Sequence, residues 1–83
     1  MTVDEYLKQP YQRMFVPEWN DRKKKHLGYS AEIREFPGCF AQGKTIQEAS
    51  QNLESAAEAW LTAEIERGHS IPPPFKGWRF PIA

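Results

Sequence analysis

Cysteine is nearly missing from this sequence: Cys39 stands alone, so no disulfide can close within one chain. It reads as a small buried hydrophobe rather than a reactive thiol. Histidine is almost as scarce. His26 and His69 each lie in a polar segment, without the second ligand at defined spacing that a zinc site needs. No metal and no other cofactor is expected. Asp4 and Asp21 are the only aspartates, whereas two-metal hydrolysis needs several carboxylates converging on one place. No catalytic residue is expected, and the chain is not expected to be an enzyme.

Two further absences narrow the field. No apolar run approaches the roughly 18 residues that span a bilayer. The start, Met1-Thr2-Val3-Asp4, lacks the basic and apolar regions of a signal peptide. A cytoplasmic, reducing location is the expectation. Eleven basic residues balance eleven acidic ones, which argues against broad binding to a phosphate backbone.

What remains is a single small domain, 1–83, with an ordinary globular composition of 40% hydrophobic and 27% charged residues. A chain this short buries only about 60–65% of its unfolded surface. With disulfide and metal excluded, a homodimer or higher homo-oligomer is the expected source of extra stability.

The chain itself reads as α+β, with a small, mostly antiparallel sheet and one main amphipathic helix. Thr2 and Glu5 form a capping box for a short helix that Pro10 must stop. Tyr11 to Val16 reads as a strand ended by Pro17, and the polar run Glu18 to His26 as the loop of a hairpin. From Leu27 to Phe36 the pattern alternates. Leu27, Tyr29, Ala31 and Ile33 share one face; Ser30, Glu32 and Arg34 share the other. Pro37-Gly38 is turn chemistry, Cys39 to Gln42 a short third strand, and Gly43 its break.

Thr45 and Glu48 make a second capping box. The helix they open carries Ile46, Ala49, Leu53, Ala56, Ala57, Trp60 and Leu61 on one stripe at about 100° per residue. Glu54 and Glu58 are expected on its exposed side. Glu64 falls inside the stripe, which this pattern does not explain. Arg67 suits the negative end of the helix and Gly68 its C′ position. Ile71-Pro72-Pro73-Pro74-Phe75 must be extended. Trp78, Phe80 and Ile82 then alternate as a final strand, at an edge because of Pro81. The expected order is β-β-β-α-β, with a possible short leading helix.

The ordered set Gly28-Tyr29, Phe36-Pro37-Gly38-Cys39, Gln42-Gly43-Lys44-Thr45, Glu48-Ala49, Asn52-Leu53, Ala56-Ala57, Gly68 and Ile71-Pro72-Pro73-Pro74 resembles the HicB antitoxin family over roughly residues 27 to 75. The resemblance implies a partial RNase H-like domain that dimerises and neutralises a small, basic, mRNA-cleaving HicA-like toxin. Where the family usually has aspartate, this chain has Lys44. Members of the family typically continue into a DNA-binding segment after the motif; its absence before Ala83 makes DNA binding unexpected.

The shared residues Tyr29, Pro37, Gly38, Cys39, Gly43, Thr45, Glu48, Asn52, Gly68 and Pro72 specify fold more than chemistry. Asn52, at the side of the helix stripe, is placed to bond a neighbouring strand or loop. Phe75, Trp78 and Phe80 are the candidate contacts for a partner or a second copy, since large aromatics concentrate at interface centres. Arg22, Lys23, Lys24 and Lys25 are candidate phosphate contacts, with Tyr29 as a possible stacking ring and a solvated hairpin tip as the plainer account. Two alternatives to the toxin-binding module therefore stand: an orphan homo-oligomeric scaffold, or a weak nucleic-acid binder through Arg22 to His26.

Overall fold

The computed structural model describes residues 1–74. Helix α1 (Val3–Leu7) precedes strands β1 (Arg13–Asn20), β2 (Lys25–Ile33) and β3 (Phe40–Gly43), followed by helix α2 (Ile46–Glu66). The strands form one antiparallel sheet in the order β1-β2-β3, with α2 laid across one face. The α+β expectation holds in the order α-β-β-β-α. The expected last strand, Trp78 to Ile82, lies outside the described residues.

Both capping signals act, in different ways. At α1 the box is reciprocal: the Glu5 amide donates to Thr2 Oγ1 and the Thr2 amide donates to Glu5 Oε1. At α2, Thr45 Oγ1 accepts from the Glu48 amide, but the Glu48 carboxylate accepts from Lys44 rather than from the cap itself. The far end of α2 closes with a Schellman pair. His69 N–H donates to the Glu64 carbonyl, Gly68 N–H donates to the Ile65 carbonyl, and Gly68 takes φ 74° at C′. Glu64 now has its explanation. Its side chain meets His69 Nδ1 at 2.6 Å and faces Arg67 at 3.9 Å, so it ties off the helix end instead of entering the core.

The first hairpin is longer than its sequence suggests. β1 runs straight through Pro17, which pairs with Tyr29, and the turn shrinks to residues 21–24. Proline is tolerated because β1 lies at the sheet edge in the described structure, where one missing N–H leaves no ladder gap on the paired side. Polar composition, on which the loop expectation for Glu18 to His26 rests, is a poor guide to an exposed hairpin arm. The register then slips between Glu18 and Trp19: Glu18 faces Gly28, Trp19 faces His26, and Leu27 is the extra residue. The expected Leu27–Tyr29–Ala31–Ile33 face therefore holds only from Tyr29 onward. Leu27 is 56% exposed.

Under α2 sits a compact core of Tyr11, Ala31, Ile33, Phe36, Cys39, Ala49, Leu53, Ala57 and Leu61. Ile46, expected in the stripe, is half-exposed because it occupies the first helical position beyond the sheet's cover. The Phe36-Pro37-Gly38-Cys39 turn closes through Cys39 N–H to the Phe36 carbonyl, with proline in the second position and Gly38 at φ 82° in the third. Trp60 clamps that turn. Its indole lies 4.4 Å from Phe36 at 7° to the ring plane, and its Nε1 donates to the Pro37 carbonyl at 2.9 Å.

Of the two partners open to Asn52, a strand or a loop, the structure supplies the strand. Its amide donates to the Gln42 carbonyl at 2.7 Å, stitching α2 to β3. Gly43 is needed for close approach, since a Cβ there would collide with the backbone of Glu48 and Ala49. Two longer ties have no local signal in the sequence. The Arg13 guanidinium grips the Glu54 carboxylate and reaches the Leu7 and Tyr11 carbonyls, joining β1, α1 and α2. Glu54 is thus engaged, not a free surface acid. Tyr11 donates its hydroxyl to the Pro72 carbonyl at 2.6 Å, fastening the proline run beside the core where Ile71 packs.

Candidate functional site

The two faces of the sheet differ sharply in cover. In antiparallel pairing, residues directly opposite share a face. Arg13, Phe15, Pro17, Tyr29, Ala31 and Ile33 look toward α2, while Met14, Val16, Glu18, Ser30, Glu32, Phe40 and Gln42 look away. No described residue covers this second face. Phe40 is 67% exposed, Val16 53% and Met14 37%. They line, with Ser30 and Glu32, a shallow depression of about 250 Å³. Alternation in β2 leaves its outward side polar, but β1 and β3 bring apolar side chains to flank it. Contiguous exposed apolar surface on a small domain marks contact sites more often than single exposed residues do.

The hairpin tip is a second, chemically distinct region. Arg22, Lys23, Lys24 and Lys25 are all exposed, and no ion pair engages them among the described residues. The turn is built, not slack. Asn20 Oδ1 accepts from the Arg22 and Lys23 amides at 3.0 and 3.2 Å, and Lys24 adopts φ 49°. Behind the cations, Trp19 and His26 have ring centroids 6.1 Å apart, and His26 meets Tyr29 edge-on at 4.8 Å. Near them an open depression of about 500 Å³ is bounded by Glu18, Leu27, Tyr29, Gln42, Gly43, Lys44 and Glu48.

The remaining expected residues sort cleanly. Tyr29 is half-buried at the edge of the core, and Pro37, Gly38, Thr45, Glu48 and Gly68 act in turns and caps as their sequence context suggests. Gly43, expected to break the third strand, is instead its last paired residue, and Asn52 and Pro72 act in ties that only the fold brings together. Cys39 is 3% exposed, and burial pushes its thiol pKa up, so it is held as the neutral, unreactive form. Phe75, Trp78 and Phe80 lie outside the described residues. Among the described residues, no cluster of His, Cys, Asp and Glu is arranged to hold a metal ion, and no helix is long and apolar enough to cross a membrane. Sequence reading missed the outward-facing Met14, Val16 and Phe40. The signal was faint: it required knowing which strands flank β2.

Comparison with known proteins agrees with the span of the fold motif. A UPF0150 protein of Thermoplasma acidophilum is 36% identical over 44 residues, which is 53% of this chain and 64% of that relative. No solved structure is a significant match. The UPF0150-like family model matches residues 22–72, from the basic turn to the first proline of the exit run. Since that span is more than half of the chain and includes the whole β2-β3-α2 unit, the protein belongs to the UPF0150-like family.

Proposed function

We propose that this protein is a non-catalytic binding module of the HicB antitoxin kind, which neutralises a small, basic, mRNA-cleaving HicA-like toxin by covering its active surface. The observation that carries this reading is the open sheet face. Met14, Val16 and Phe40 offer apolar contact, and Glu18 and Glu32 on the same side offer charge suited to a protein that grips RNA. Masking of this kind needs fit and charge, not reacting groups. The family membership and the resemblance in residues 27 to 75 support it.

The test is co-expression of the full chain with a small basic protein encoded beside it. Rescue of growth and co-purification are expected, and Phe40→Ser should weaken both while leaving the helix content intact. Light scattering separates the orphan alternative: self-association with no captured neighbour favours a homo-oligomeric scaffold, and a stable monomer that captures nothing defeats both readings.

A further inference from the structure

The β1–β2 hairpin combines two features that composition alone does not link. Four of the eleven basic residues of the chain stand in consecutive positions, Arg22 to Lys25, against Glu18 and Asp21 nearby. Immediately behind them a run of rings extends down the arm: Trp19, 55% exposed, then His26, then Tyr29. The rings lie on the side of the sheet opposite Met14, Val16 and Phe40, so they are separate from the surface proposed for toxin masking.

We infer that this hairpin is a binding site for single-stranded nucleic acid, with the cations taking phosphates and Trp19, supported by His26, stacking a base. Duplex is disfavoured because its bases are already stacked and offer no free faces to an indole. A purely acidic protein partner would use the cations but would have little call for an exposed ring wall. The built turn matters too. Asn20 fixes the amides of Arg22 and Lys23, so the cations start from a defined backbone and lose less freedom on binding. Sequence tolerance is expected, since every base has a π-face and no polar group here is arranged to read base edges. Binding is expected to be modest, because only four cations contribute.

Fluorescence anisotropy with labelled strands of about ten nucleotides, one of uridine and one of thymidine, reads this directly. Both strands should bind the full chain at low salt. Affinity should fall about fiftyfold between roughly 50 and 200 mM salt, since about four phosphate contacts on a single strand release about three counterions. Trp19→Ala should weaken binding about tenfold and Trp19→Phe should largely restore it. Replacing Lys23, Lys24 and Lys25 together by Ser should abolish it. All these positions are exposed, and circular dichroism checks that each variant folds. A preference for one strand would name RNA or DNA as the source. No binding at low salt would overturn the inference. So would binding indifferent to Trp19→Ala, or equal competition by polyglutamate, which would make the tip a simple polyanion contact.

Discussion

On the helix side of the sheet, Ala31 and Ile33 are 3% and 1% exposed beneath Leu53 and Leu61, while on the other side Phe40 and Val16 stand in solvent. The same three strands serve both. One side is covered over β2 and β3 by a single helix that leaves only the hairpin arm bare, with the Trp60 indole locking the turn at its margin. The other has similar apolar side chains and no lid among the described residues. Burial on the first side stabilises the chain by itself; apolar area on the second can contribute only when another surface arrives. The comparison teaches where stability and recognition separate in a domain too small to spare residues for each.

The widest gap should come from emptying the closed side. Leu53→Ala removes a fully buried side chain at the centre of the core. It should cost about 2–5 kcal/mol, much of the total of roughly 4–12 kcal/mol typical for this length, read as a lower urea midpoint. Loss of the stitch between the covering helix and β3 should be milder. Asn52→Ala should cost about 1 kcal/mol, with hydrogen exchange quickening first around Gln42.

Alkali should probe the latch on the proline run. Burial raises the Tyr11 phenol pKa above its ordinary 10.0, with Tyr6 and Glu35 adding to the shift. The folded state therefore favours the neutral phenol. Its contribution is complete below pH 10.0 and is lost as pH rises through the higher folded value. Tyr11→Phe should flatten that decline in a stability–pH series measured in the Cys39→Ala background, because the Cys39 thiol pKa is raised as well. The smallest effect should belong to the open side. Phe40→Ser should change the stability of the isolated chain by no more than about 0.5 kcal/mol, and a large loss in urea would mean that this face is closed after all.

Much of the closed side was legible in the sequence because its signals are local. Thr45 and Gly68 bracket α2, Pro37-Gly38 writes its own turn, and the stripe from Ala49 to Leu61 has one period. Asn52 was legible in part: its position beside the stripe points to a strand or loop, and only the fold brings β3 to it. What failed was nonlocal. Pro17 looks like a strand end until β1 is known to lie at an edge. Glu54 looks like a solvated acid until Arg13 is brought across from the sheet. Glu64 looks misplaced until the helix is seen to end against His69. The open face escaped notice because its apolar residues come from β1 and β3, each too short to announce a face alone.

Leu27 has an effect out of proportion to its contacts. A strand alternates with period two, so one surplus residue reverses the phase of everything beyond it. If Leu27 were paired instead of bulged, it would stand opposite Trp19 and His26 would turn to the reverse side. The aromatic ladder toward the turn is thus a product of counting, not of composition: absorbing Leu27 into the regular ladder would dismantle it, whereas deleting Leu27 would leave Trp19 facing His26.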